Sequence, residues 1–184
     1  LLEWRQKYAF NGLLLYVLAT VFVCYLSFRQ ILDVPTWNAL FWIIQLFAGI
    51  NGIAKSFIAE SRGRMLYYYS VTGPVPLIIS KFIYNFCLMT FLSLINIVFY
   101  SLFIGNPVQD TTLFVIATLL GSAGFAGVLT MVSAIASKAG NSTTLMSILS
   151  FPILIPLLLT TIRFSKNAID GLPWSVSLPF IIVL

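Results

Sequence analysis

Residues able to do chemistry are scarce in this chain, and what is missing limits it first. There is no histidine, which removes the commonest metal ligand and the usual general base near neutral pH. The two cysteines, Cys24 and Cys87, each fall midway along an apolar run, where packed thiols are expected and a disulfide is not. A phosphate-cradling loop needs spaced glycines ending in Gly-Lys-Ser/Thr, and the nearest stretch, KAGNST from Lys138, has its lysine on the wrong side. Gln45, Asn51, Asn85 and Asn96 lie inside apolar segments, where hydrogen bonding between helices is their expected use. No ionisable residue is expected mid-membrane, so a proton relay has no carrier. Energised work would have to draw on another subunit.

Charge clusters in one place, KSFIAESRGRMLYYYSVTGPVPLIISK from Lys55 to Lys81. Gly73 and Pro74 stop any helix there. A helix from about Glu60 to Ser70 puts Met65, Leu66 and Tyr69 on one side and Arg62 and Arg64 mostly on another, with Gly63 between the arginines. Two uses stay open for such a segment. It can rest on lipid headgroups, or it can plug into a soluble partner.

The elements that must position these residues are membrane spans. A chain that is 60% hydrophobic and 8% charged is not a soluble domain, and its long apolar runs exceed the roughly 18 residues of a crossing helix. The expected fold is all-α, one polytopic transmembrane domain over residues 1–184. An amino-terminal interfacial helix, Leu1–Asn11, leads into spans at about 12–28, 35–58, 75–104, 112–136 and 143–162. Arg163, Lys166 and Asn167 are expected in a loop before a sixth span that is cut short, and both ends read as trimmed. The third span is longer than a straight crossing and should tilt or protrude. Gly121, Gly124 and Gly127 in the fourth are expected to pack helix on helix, and Asn141 or Ser142 can cap the fifth. Pro152 and Pro156 should kink the fifth, as a fixed bend or a hinge.

Basic residues set the orientation. Arg5, Lys7, Lys55, Arg62, Arg64, Lys81 and Lys138 fall on one side, against Arg29, Arg163 and Lys166 on the other. The amino end and the tyrosine-rich loop are therefore expected in the cytoplasm. The net charge of +5 belongs to this asymmetry, and no basic patch suits nucleic acid.

Glu60, Gly63, Met65–Tyr69, Gly73–Pro76 and Lys81 resemble the cytoplasmic loop of ABC-2-type exporter permeases. From Ser137 to Gly171, the small polar Lys138–Gly140 loop, the Leu-rich run and the Pro152/Pro156 pair followed by Leu157–Leu159 resemble the haem exporter protein B family of bacterial cytochrome c maturation. The resemblance extends over essentially the whole chain. It implies a multi-pass permease subunit of the bacterial inner membrane, homodimeric, and bound to a separate ABC ATPase and to haem-handling membrane subunits. Glu60, Arg62, Gly63, Met65, Leu66 and Tyr69 would then couple it to the ATPase. No cofactor is expected on this chain, with ATP on the partner and haem handled by a partner subunit, since the sulfur residues Cys24, Cys87, Met89, Met131 and Met146 are scattered among apolar runs. The other functions left open are an ABC-2 permease for a lipid, polysaccharide or drug, and a scaffold relaying ATP-driven motion without passing a substrate.

Overall fold

The computed structural model describes residues 2–28, 33–53, 73–137 and 142–183. They form six helices, α1 Leu2–Ser27, α2 Val34–Ile53, α3 Pro74–Ile104, α4 Thr111–Ala136, α5 Ser142–Ile169 and α6 Trp174–Val183. No strand occurs among the described residues. Four helices, α1, α3, α4 and α5, are long and apolar enough to cross a membrane, so the chain is an all-α polytopic membrane protein.

Local chemistry explains where these helices start and stop. Gly73 takes φ +78° and Pro74 opens α3, its missing N–H costing nothing in a first turn. Asp110, extended at φ −104°, caps α4 by accepting the Leu113 N–H at 2.9 Å. The far end of α5 corrects an expectation. Arg163, Lys166 and Asn167 are not in a loop, because the helix continues through them to Ile169. No breaker lies among them. The stop comes at Gly171, whose φ of +65° lets the Leu172 N–H reach back to the Asn167 carbonyl at 2.9 Å. The amino-terminal stretch is helical as expected, and it joins the first span without a break.

Helices consecutive in the chain run antiparallel, whereas α1 and α3, pairing Phe10 with Phe91 and Phe22 with Phe103, run parallel. Trp37 meets Tyr100 while Gln45 meets Ser93; Asn85 meets Thr130 while Ser93 meets Ser122; Phe164 stacks on Phe180 while Asn167 meets Ser177. The result is an up-and-down bundle. Its centre is α2, which packs against α1, α3, α4 and α5. Over its described residues, which stop short of the expected span's end, α2 is not one of the four helices long and apolar enough to cross a membrane. Trp37, Asn38, Trp42 and Gln45 lower its hydropathy, and all four are buried. Polar groups hidden from lipid by surrounding helices are tolerated there because each can find a partner.

Candidate functional site

The segment expected to reach a partner, with Glu60, Arg62, Gly63, Met65, Leu66 and Tyr69, lies outside the described residues. Its two anchors are described. The antiparallel order puts Ile53 at the end of α2 and Gly73 at the start of α3 on one end of the bundle, together with the start of α1 and the α4–α5 junction. Lys138–Asn141 of that junction also lie outside the described residues, while Ser142 opens α5. Whatever happens to the 54–72 segment must enter the bundle through α2 and α3.

These two helices are tied by a ladder of polar and aromatic rungs. Tyr100 donates its hydroxyl to the Trp37 carbonyl (3.1 Å), and Asn96 donates to the Phe41 carbonyl (3.4 Å). Gln45 donates to the Ser93 hydroxyl and to the Met89 carbonyl (3.2 Å). Ser93 lies 2.7 Å from the Ser122 hydroxyl, which brings α4 into the same layer. One rung further, Met89 packs against Gly49. At the other end Trp37, Phe41, Tyr100 and Phe114 form an aromatic cluster with centroids of contacting pairs 4.9 to 6.0 Å apart, each pair adding about 0.5–1.5 kcal/mol. The Trp37 indole N–H is satisfied by the Gly105 carbonyl at 3.0 Å. The carbonyl oxygens of the Gln45 and Asn96 side chains are left buried without partners. Such groups cost about 1–3 kcal/mol each, so this seam is held at a cost.

A second connection runs from α2 to α5. The Trp42 indole donates to Ser165 Oγ at 2.7 Å, and Asn38 donates to the Ile162 carbonyl at 2.8 Å. Ser165 Oγ also lies 2.8 Å from Asn38 Oδ1 and 2.8 Å from the Thr161 carbonyl. One hydroxyl hydrogen serves several acceptors here, while its oxygen accepts the indole. Trp42 is thereby pinned, and the outer edge of its ring, Cη2 and Cζ3, lies against Gly121 of α4.

That contact separates the three glycines. A Cβ on Gly121 would stand 2.4 Å from Trp42 Cη2 and 3.1 Å from Thr161 Cγ2, so only glycine admits the indole between α4 and α5. At Gly124 the nearest atom is the flexible tip of Leu157 at 2.9 Å, and at Gly127 it is Phe82 at 3.6 Å, an ordinary contact. Pro152 and Pro156 both lie inside α5, on its exposed side. The Thr160 hydroxyl donates to the Pro156 carbonyl at 2.8 Å, one turn above.

Asn85, like Gln45 and Asn96, bonds across helices, to Thr130 at 2.9 Å, whereas Asn51 is exposed. Of the sulfur residues, Cys24, Met89 and Met146 are buried, and Met131 and Cys87 face outward. Asn38, Trp42 and Ser165 were not singled out from the sequence. The signal was present in Asn38, Trp42 and Gln45, which fall at i, i+4 and i+7 on one face of α2.

Comparison with known proteins gives one family: a family model described as CcmB protein matches residues 2–184. No curated protein and no solved structure matches the chain.

Proposed function

Because this chain belongs to the CcmB family, whose members are membrane permease subunits serving haem export in cytochrome c biogenesis, we propose that it works as the membrane half of an ABC exporter. The family match over residues 2–184 carries this reading. In it, the chain forms a single transmembrane domain that pairs with a second copy and binds a separate ATPase through Glu60, Arg62, Gly63, Met65, Leu66 and Tyr69. ATP is hydrolysed on that subunit. Closure of the ATPase displaces the 54–72 segment and with it the ends of α2 and α3. The ladder makes these two helices move as one body. Trp42, wedged at Gly121 and bonded to Ser165, hands the shift to α5, where Pro152 and Pro156 allow bending. Interlocked side chains of this kind favour a few discrete arrangements over smooth deformation.

Haem is the cargo in this reading, and its iron is ligated on a partner subunit. The absence of histidine supports that, as does the burial of Cys24, Met89 and Met146 as packing. The centre of the described bundle is filled by Trp37, Phe41 and Trp42, which supports a route for cargo beside the bundle. Cells lacking this chain should make no c-type holocytochromes, and restoring it should recover them. Normal cytochrome assembly in such cells would refute the function.

The amino end and the 54–72 segment face the cytoplasm in this reading, on the strength of the basic-residue asymmetry. A Ser61→Cys variant should react with a membrane-impermeant thiol reagent only in inverted vesicles. Its labelling in right-side-out spheroplasts would reverse the orientation.

A further inference from the structure

We propose that the groove between α5 and α6 is a binding site for one anionic glycerophospholipid, with Arg163 taking the phosphate. The groove encloses about 340 Å³ and is lined by Pro156, Leu159, Thr160 and Arg163 of α5 and by Pro179 and Phe180 of α6. The four α5 residues fall at i, i+3, i+4 and i+7 and so form one stripe along the helix. Both prolines lack an N–H, and the Thr160 hydroxyl is already spent on the Pro156 carbonyl. The walls therefore offer an amphiphile almost nothing polar until Arg163.

The charge is what identifies the occupant. Arg163 lies inside a stretch, Thr144–Ile169, that is long and apolar enough to span the membrane. It is exposed, and no ion pair or hydrogen bond engages it among the described residues. The acids at this end do not reach it. Asp33, just before α2, makes no ion pair with it, Asp110 is used as the cap of α4, and Asp170 is seven residues further along, about 10 Å of helix rise away. A cation near the end of a span turns toward the headgroup layer and takes an anion there. Its guanidinium presents a planar fork that fits a phosphate with two parallel hydrogen bonds. Lys166, exposed and one turn nearer the end of α5, adds a second positive charge. Trp174, also exposed, opens α6 beyond the end of α5, level with Asp170, where an indole suits the interface.

Selectivity should follow the headgroup and not the acyl chain. Within lipid there is no hydrophobic gain in moving a chain from the bilayer to an apolar groove. One cation near an anionic headgroup is worth about fivefold in affinity. The test is native mass spectrometry of the full chain, released from nanodiscs holding equal phosphatidylglycerol and phosphatidylethanolamine. The wild type should retain one phosphatidylglycerol in preference by about fivefold or more. Arg163→Gln should abolish the preference, and Arg163→Lys, which keeps the charge but loses the fork, should keep part of it. Equal retention of the two lipids by the wild type, or an unchanged preference in Arg163→Gln, would overturn the site. So would a photo-cross-linker placed at Leu159 that captures a protein helix in place of lipid. Nothing in this measurement needs the ATPase or haem, so it stands or falls apart from the exporter reading.

Discussion

Replacing Leu66 and Tyr69 together by alanine should release the ATPase from this chain while leaving the chain inserted and folded. Both residues lie in the charged break between α2 and α3 and share one side of the helix expected there with Met65. Apolar and aromatic anchors carry most of the energy of an interface, whereas rim charges such as Glu60 and Arg62 contribute little affinity. Losing two anchors should weaken association by a few kcal/mol, which amounts to a hundredfold or more. Span topology should not change, because the apolar helices that fix it are untouched. Glu60→Gln with Arg62→Gln should reduce the association rate more than the affinity. Co-purification of the ATPase with each variant measures the difference. If the segment only rests on headgroups, the Leu66/Tyr69 variant will retain the ATPase and lose lipid affinity instead. Full recovery of the ATPase, with cytochrome c maturation intact, would remove the coupling role from these residues.

The apolar elements were legible in the sequence because lipid imposes a simple rule: every backbone group must be satisfied within its own helix, over a length of about 20 residues. The start of α3 followed from Gly73 and Pro74, residues whose backbone preferences are local. Reading Arg163 and Lys166 as a loop failed for an equally local reason. Charge is not by itself the mark of a loop, because a long side chain can leave the membrane while its helix stays in it. The stop signal was Gly171, two residues past the last turn. The role of α2 was legible only in part. Its polar residues announce that they need partners, but only the three-dimensional arrangement shows that Gln45 finds Ser93 and Trp42 finds Ser165. The three glycines of α4 look alike in sequence for the same reason. Their difference belongs to what stands opposite them.

That difference predicts opposite signs for one substitution made at two places. Gly127→Ala should leave the bundle as stable as before or stabilise it by up to about 1 kcal/mol, since alanine is the better helix former and Phe82 leaves room. Gly121→Ala gains the same propensity and loses more. Its methyl would stand 2.4 Å from Trp42 Cη2, and the indole has no easy retreat while its N–H is bound to Ser165 at 2.7 Å. Overpacking a filled interior costs about 1–3 kcal/mol, and a displaced indole would also give up a hydrogen bond worth about 1 kcal/mol. A net loss of about 1–3 kcal/mol follows from these opposing terms. Trp42→Phe in the Gly121→Ala background removes the colliding ring atoms and should recover the overpacking part, leaving the lost hydrogen bond. Each single change and the pair together form a cycle whose coupling energy reports the contact itself. Thermal unfolding of the purified variants in one detergent measures all four states. Equal stability of the Gly121 and Gly127 variants would show that Trp42 moves freely. It could not then transmit a shift of α2 to α5, and the route proposed for the ATP-driven motion would have to pass elsewhere.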